Sequence, residues 1–148
     1  MNNTKEQIEI LLVEDNPDDA MLSMMALEES HVVNNIIHLK DGAEALNYVF
    51  HTGRFANDPP DTHPKIMLLD LKMPKVSGIE VLRKMKANEE TKKIPVIVFT
   101  SSDQDPDVKE CYSLGVNSYV VKPLNFNQFK TAVNEIGLYW AVLNRVME

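Results

Sequence analysis

The chain has 148 residues, of which 44% are hydrophobic and 25% charged, and its formal net charge is −7. These values are ordinary for one soluble globular domain, and the negative charge argues against nucleic acid, whose binding needs clustered Lys and Arg. No apolar run approaches the ~18 residues of a membrane span, and the N-terminal residues lack the apolar segment of a signal peptide. Cys111 is the single cysteine, so no internal disulfide forms, which fits a cytoplasmic protein.

Apolar runs alternate with amphipathic segments along the chain. Buried strands are predicted at residues 8–13, 34–39, 66–70, 94–100 and 117–121. Helices are predicted at residues 17–30, from 42 to about 50, at 78–88, at 106–115 and from 125 almost to the end. Residues 51–64 are rich in Pro and Gly and are predicted to form a loop. This alternation predicts right-handed βαβ units and an α/β fold whose parallel sheet is covered by helices on both faces.

Polar side chains follow four of the predicted strands at their carboxyl ends. In chain order they are Glu14-Asp15, Asp70, Thr100-Ser101 and Lys122-Pro123. Because the carboxyl ends of parallel strands meet at one edge of a sheet, we expect these side chains to share a crevice. In open α/β sheets that crevice is where ligands bind.

The acids in this crevice point to a divalent cation. A single pair such as Glu14 and Asp15 is weak evidence, because acids in loops are usually solvated. Together with Asp70, however, the pair makes three carboxylates that repel one another unless a cation neutralises them, and Mg²⁺ prefers oxygen ligands of this kind.

The basic and hydroxyl groups of the crevice suit a phosphoryl group. A lysine taken alone is usually solvated, but Lys122 and Thr100 beside a metal supply what phosphoryl oxygens need. The Lys122-Pro123 bond is of a type that can be cis. Ser101 and Ser102 lack an adjacent base, the four histidines show no metal-ligand spacing, and no Gly-rich phosphate loop occurs.

Four segments resemble the receiver domain of two-component response regulators. They are LLVEDNPDD (11–19), LLDLKMPKVSG (68–78), PVIVFTSS (95–102) and GVNSYVVKP (115–123). The resemblance runs from residue 8 to the last helix and implies a flavodoxin-like, doubly wound five-stranded parallel sheet with strand order 2-1-3-4-5. It implies a single receiver domain over residues 1–148, with a core at about 8–135 and an extended last helix at about 125–147.

The resemblance also implies roles for the acids of the crevice. Asp70 corresponds to the phosphoacceptor aspartate. Asp15 corresponds to the direct magnesium ligand, and Glu14 to the acid that acts on the metal through water. The backbone carbonyl of Lys72 corresponds to a further metal ligand, and the nearby loop matches the family in Met73, Pro74 and Gly78.

The remaining roles that the resemblance implies concern the response to phosphorylation. Lys122 corresponds to the active-site lysine that pairs with the phosphoryl group, and Thr100 to the switch hydroxyl that bonds it. Tyr119 corresponds to the aromatic switch residue that turns inward on activation. The implied function is a phosphoacceptor response regulator that receives its phosphoryl group from a sensor histidine kinase and changes its interaction face for an unknown downstream protein.

A narrower similarity is to small, stand-alone regulators paired with phytochrome-type sensor kinases. It is carried by the Pro-rich loop before the third strand and by IGLYWAVLNRV (136–146). No output domain follows residue 148, so no DNA-binding module is expected. The protein is expected to catalyse only its own phosphorylation and dephosphorylation.

Two other functions compete with this interpretation. A pseudo-receiver would have the fold without using phosphorylation, which the complete set of site residues disfavours. A metal-dependent phosphohydrolase with an aspartate nucleophile would usually carry a second aspartate two residues after the first, where this chain has Lys72. The long side chain of Lys72 either lies over the acids and pairs with Glu14, slowing hydrolysis of the acyl phosphate, or points to solvent.

The last predicted helix has two apolar sides. One stripe contains Phe129, Val133, Ile136, Trp140 and Leu143, and the other contains Tyr139, Val142 and Val146. One stripe is enough to pack the helix on the sheet. We therefore expect the second to form a homodimer, unless the chain end frays or folds back.

Overall fold

A computed structural model describes residues 8–29, 33–59 and 63–147. Five strands and five α-helices alternate along these residues. The strands are β1 (Ile8–Val13), β2 (Val33–Leu39), β3 (Ile66–Leu69), β4 (Val96–Thr100) and β5 (Ser118–Val121). The helices are α1 (Pro17–Glu29), α2 (Gly42–Phe50), α3 (Gly78–Lys86), α4 (Asp105–Ser113) and α5 (Phe126–Met147). A short 3-10 helix, Gly53–Phe55, lies within the predicted loop.

The strands form one sheet in the order β2-β1-β3-β4-β5, and every neighbouring pair is parallel. This confirms the predicted α/β class and the strand order that the resemblance implied. The chain leaves β1 towards β2 on one side and returns to β3 on the other side of β1. The carboxyl ends of β1 and β3 therefore flank the point where the winding direction reverses, which is where such sheets form a crevice.

The central strands are buried on both faces of the sheet. In β1, Leu11 and Val13 pack in an apolar cluster with helices α2, α3 and α4, whereas Ile10 and Leu12 pack on the opposite face with α1 and α5. This explains why the strand reads as a continuous apolar run without polar alternation. Cys111 is buried on α4, and burial raises the pKa of its thiol to about 11.

The ends of several elements follow from local chemistry. Asp41 and Ser77 each accept a hydrogen bond from the backbone N–H three residues later, and so cap α2 and α3. Strand β4 begins at Val96 instead of the predicted residue 94, since Pro95 has no N–H to donate to a neighbouring strand. Within the described part of the chain, no helix is both long and apolar enough to cross a membrane.

Helix α5 packs on the sheet and against α1. Phe129 and Val133 are buried and Ile136 is half-buried, so this part of the first apolar stripe faces the core as predicted. Lys130 Nζ lies 3.0 Å from Glu29 Oε2, and Asn134 Nδ2 donates to the Ala26 carbonyl at 3.1 Å. The side chains of Trp140, Val142, Leu143 and Val146, on which much of the two-stripe prediction depends, lie outside the described residues.

Candidate functional site

Three predicted acids meet at the carboxyl ends of β1 and β3. One carboxylate oxygen each from Glu14, Asp15 and Asp70 lies within 4.8 Å of the other two. Glu14 and Asp70 are buried, at 2% and 6% exposure, whereas Asp15 is exposed. Two of the three acids thus lie at the floor of the crevice and the third at its mouth.

Backbone hydrogen bonds continue the sheet into these acidic turns. The Glu14 N–H donates to the Leu39 carbonyl and the Asp70 N–H donates to the Val13 carbonyl, each at 3.1 Å. His38 Nε2 lies 2.8 Å from the Glu14 carbonyl oxygen and donates to it when it carries the proton. The backbone of both buried acids is therefore held by hydrogen bonds to neighbouring strands, independently of their side-chain contacts.

Gly78 allows α3 to begin directly against Asp70. A Cβ at this position would lie 2.2 Å from the Asp70 carbonyl oxygen and 2.6 Å from the Leu71 Cα, both of which are backbone atoms. The Gly78 N–H donates to the Leu71 carbonyl at 2.8 Å. Because backbone atoms cannot move aside as flexible side chains do, any larger residue here would displace the loop that carries Asp70.

Lys122 reaches into the crevice from the end of β5. Its Nζ lies 2.8 Å from Glu14 Oε1, 2.8 Å from Asp19 Oδ2 and 3.2 Å from Asp70 Oδ2, and its side chain is 8% exposed. The Lys122-Pro123 peptide bond is trans. We call Glu14, Asp19, Asp70 and Lys122 the acid–lysine cluster.

Burial and charge act against each other in this cluster. Burial raises the pKa of Glu14 to about 7, opposed by the hydrogen bond to Lys122 and reinforced by the charge of Asp70. Burial on its own would lower the pKa of Lys122, but the carboxylates of Asp19 and Glu14 outweigh it and raise that pKa. The lysine is therefore a firmly held cation, whereas Glu14 is an acid whose charge is costly in the absence of a metal.

The donor set fits a divalent metal. Three carboxylates offer hard oxygen atoms within one small space, and one of them, Asp15, is exposed at the mouth of the crevice. Oxygen ligands of this kind suit Mg²⁺, which usually binds proteins through a few carboxylates and keeps several waters. A divalent charge would also remove the cost of ionised Glu14 beside Asp70.

The other side of the crevice is held by hydroxyl groups. Thr100 is fully buried, and its Oγ1 accepts from the Ser102 N–H at 3.5 Å. Tyr119 is half-buried, and its hydroxyl donates to the Ser102 carbonyl at 2.8 Å. Ser102 Oγ donates to Asp107 Oδ2 at 2.6 Å. We call Thr100, Ser102, Asp107 and Tyr119 the hydroxyl network; it ties β4, β5 and the start of α4 together.

Lys72 contributes its backbone to the site and turns its side chain outward. Its N–H lies 3.4 Å from Asp70 Oδ1, and its side chain is exposed. Glu14 pairs with Lys122, and no ion pair among the described residues involves Lys72. Of the two placements considered from the sequence, the structure therefore has the solvent-facing one. The metal-ligand role of the Lys72 carbonyl stays a prediction.

Three residues of the site were not singled out from the sequence. In the sequence analysis Asp19 is only part of the segment LLVEDNPDD (11–19), Ser102 is considered only as a nucleophile without a base, and Asp107 is not considered. The sequence gives a weak signal for Asp19, since it lies four residues after Asp15 and in the first turn of a helix that begins at Pro17. For Ser102 and Asp107 the sequence gives no comparable signal, because their contact depends on the path of the loop.

The protein is an open parallel sheet, and the crevice at its switch point holds three carboxylates, a lysine and a buried threonine. This combination defines a phosphoacceptor domain of the receiver type. The sequence model of the response regulator receiver domain matches residues 10–134. The chain therefore belongs to that family, whose members are phosphoacceptor response regulators in two-component systems.

Several relatives match over most of their length. The probable methanogenesis regulatory protein FilR2 of Methanothrix harundinacea is 45% identical over 136 residues, which is 92% of this chain and 85% of the relative. The crystal structure of the phosphorylated cyanobacterial phytochrome response regulator RcpA is 37% identical, with a TM-score of 0.85 over 90% of this chain and 94% of that one. A structure of the Mn²⁺-bound response regulator Rcp1 gives the same four values.

Proposed function

We propose that Asp70 is the phosphoacceptor of this chain and that a sensor histidine kinase supplies the phosphoryl group. The observation that carries the proposal is the buried carboxylate of Asp70 at 3.2 Å from Lys122 Nζ, next to the carboxylates of Glu14 and Asp15. A nucleophilic oxygen, a fixed cation and a metal-binding acid pair are the parts that phosphoryl transfer needs.

The transfer step uses the nucleophile and the lysine directly. A carboxylate oxygen of Asp70 attacks the phosphorus of a phosphohistidine; the new O–P bond forms as the N–P bond breaks, and the electron pair leaves with the histidine nitrogen. Lys122 stabilises the negative charge on the transferring oxygens. Bound Mg²⁺, held by Asp15, Asp70 and the Lys72 carbonyl and through water by Glu14, would neutralise further charge in the site.

The new phosphoryl group then changes the hydroxyl network. It adds negative charge and acceptor oxygens beside Asp70, and the Thr100 hydroxyl turns from Ser102 to bond them. Tyr119 follows into the space that Thr100 vacates. The face formed by α4, β5 and α5 changes shape as a result, and a downstream protein reads this change.

The proposed chemistry is confined to the chain itself. We propose that it catalyses its own phosphorylation and dephosphorylation and acts on no separate substrate, as a single receiver domain located in the cytoplasm. Its formal charge of −7 supports a protein partner over a nucleic acid.

Labelling with acetyl phosphate and Mg²⁺, followed on a Phos-tag gel, tests the phosphoacceptor. Wild type should shift, and Asp70→Asn should not, because the variant keeps its shape but lacks the attacking carboxylate. Far-ultraviolet circular dichroism shows whether the variant is folded. Labelling that persists in the folded variant would contradict the assignment, the absence of labelling in wild type would favour a pseudo-receiver, and sustained turnover of a phosphoester would favour a phosphohydrolase.

We also propose a homodimer through α5 and the adjoining switch face. Leu138 and Tyr139 are large apolar side chains that are 40% and 61% exposed on this helix, and Tyr139 begins the second predicted stripe. Tyr119 is on the strand that precedes α5, so phosphorylation would tune the dimer.

Light scattering at micromolar concentration tests the dimer. Wild type should have the mass of two chains, and the double variant Tyr139→Glu/Val142→Glu should shift towards one. A protein that is monomeric both with and without a phosphoryl mimic would exclude the homodimer and leave the second stripe to another partner such as the kinase.

A further inference from the structure

The ammonium of Lys122 has no spare donor for a phosphoryl oxygen. It carries three N–H groups, and three carboxylates contact it: Glu14 and Asp19 at 2.8 Å each, and Asp70 at 3.2 Å. If Lys122 is to bond the phosphoryl group, as the proposed function requires, one of these contacts has to be released.

The three carboxylates differ in how easily they can be released. The side chain of Glu14 is 2% exposed, so its release would leave a buried, unpaired charge. Asp70 is 7% exposed and has to stay in the site because its carboxylate is the attacking group. The side chain of Asp19 is 28% exposed, so water can solvate it after release. Asp19 also lies in the first turn of α1, where the N-terminal end of the helix favours a negative charge.

The surroundings of Asp19 leave room for this movement. Asp19 and Lys122 line a pocket of about 330 Å³ together with Ser101, Pro123 and four apolar side chains. The Asp19 N–H donates to Asn16 Oδ1 at 3.0 Å, which holds its backbone while the carboxylate turns. The side chain can therefore leave Lys122 by rotation alone, without unwinding α1.

We propose that Asp19 is a positioning residue that holds Lys122 in the unphosphorylated protein and releases it to the phosphoryl group. It occupies one ammonium N–H until phosphorylation supplies a more highly charged acceptor. The inference rests on the proposed roles of Asp70 and Lys122, and it adds that the lysine exchanges partners during transfer.

Acetyl phosphate provides a direct measure of this exchange. The Asp70 carboxylate forms the new O–P bond, the bond from phosphorus to the acetate oxygen breaks, and acetate leaves with the electron pair. In Asp19→Asn the ion pair to Lys122 is lost, so less is given up when the lysine turns to the phosphoryl group. The rate constant of phosphorylation should rise about two- to fivefold, the size expected for one partly exposed ion pair.

Two further variants separate the ion pair from other effects of the substitution. Asp18→Asn removes the same charge from the same turn of α1, but Asp18 is exposed and makes no ion pair with Lys122, so its rate should stay within about 1.5-fold of wild type because solvent screens it. Asp19→Glu keeps a carboxylate within reach of Lys122 and should keep the wild-type rate. Melting temperatures of all three variants report any structural damage separately.

The outcomes distinguish the inference from the proposed function. A rate for Asp19→Asn that falls, or that equals the rate of Asp18→Asn, would overturn the exchange, as would a faster Asp19→Glu. A lower melting temperature without a faster rate would assign Asp19 a structural role only. If wild type is not labelled, or if label persists in Asp70→Asn, the proposed function itself is wrong, and the exchange that rests on it is wrong as well.

Discussion

The two sides of the crevice are held together by different interactions. On one side, the acid–lysine cluster joins three carboxylates to the single ammonium of Lys122 at 2.8–3.2 Å. On the other side, the hydroxyl network joins Thr100 and Tyr119 to the backbone of Ser102. The first side depends on charges and the second mainly on neutral hydrogen bonds, although both lie at the carboxyl ends of neighbouring strands.

This difference assigns the two sides different tasks. Buried charges respond strongly to an added charge, so a phosphoryl group or a metal ion changes the balance of the acid–lysine cluster at once. A neutral hydrogen bond contributes only about 0.5–1.5 kcal/mol and can be exchanged for another of similar strength. The cluster is therefore suited to detecting the chemical event, and the hydroxyl network is suited to passing it on as a change of shape.

Metal binding should distinguish the acidic side of the crevice from the hydroxyl side most clearly. Mg²⁺ binds the folded protein through the clustered acids, so it should stabilise wild type by about 2.7 kcal/mol at a hundredfold excess over its dissociation constant. Asp15→Ala removes one of the three acids Glu14, Asp15 and Asp70 that lie together, and it should lose this response. Thermal unfolding with and without Mg²⁺ measures both proteins.

The matched control for the metal is Asp18→Ala. Asp18 is exposed and is not one of the three clustered acids, so this variant should respond to Mg²⁺ as wild type does. An unchanged response in Asp15→Ala would exclude that residue as a ligand. A lost response in Asp18→Ala would mean that Mg²⁺ acts through general charge and not through Glu14, Asp15 and Asp70.

A pH dependence should appear on the acidic side only. The pKa of Glu14 in the metal-free fold is raised to about 7 from an ordinary value of 4.5, so between these values the folded protein binds more protons than the unfolded one. The contribution of Glu14 to stability is therefore present below about pH 4.5 and is lost as pH rises through about 7. Compared with Glu14→Gln, wild type should lose roughly 1–3 kcal/mol between about pH 5 and 8.

Urea unfolding in EDTA at several pH values measures this difference. Glu90→Gln makes the same change on an exposed side chain and serves as the control. A difference between wild type and Glu14→Gln that is flat with pH, or that favours wild type as pH rises, would contradict the raised pKa. Added Mg²⁺ should reduce the slope, because the metal favours ionised Glu14.

The sequence was sufficient to predict the strands and their parallel arrangement, because the apolar runs are long and the acids fall where the strands end. Strand order came from the resemblance and not from periodicity, since parallel strands with similar apolar runs do not encode their neighbours. The starts of two helices were also predicted: α1 begins at Pro17 and α2 at Gly42.

The partners of individual side chains were harder to predict. That Lys122 lies near Asp70 follows from both residues ending strands, but its contact with Asp19 joins residues 103 positions apart and depends on how α1 packs. The sequence left two placements for the side chain of Lys72, pairing with Glu14 or facing solvent, because a long lysine side chain can reach either. In the structure Glu14 is paired with Lys122, so the side chain of Lys72 faces solvent instead.

The smallest expected effect is on the hydroxyl side. Tyr119→Phe keeps the ring but removes the O–H that donates to the Ser102 carbonyl at 2.8 Å. The free energy of unfolding should fall by about 1 kcal/mol, the usual contribution of one neutral hydrogen bond. Burial raises the pKa of Tyr119 above its ordinary value of 10, so the loss should be the same at pH 5 and pH 8, unlike that of Glu14→Gln.

Tyr112→Phe, on a 52% exposed side chain, is the control and should change stability by less than about 0.5 kcal/mol. A loss in Tyr119→Phe that grows with pH, or that disappears when Mg²⁺ is added, would mean that the two sides of the crevice are coupled already before phosphorylation.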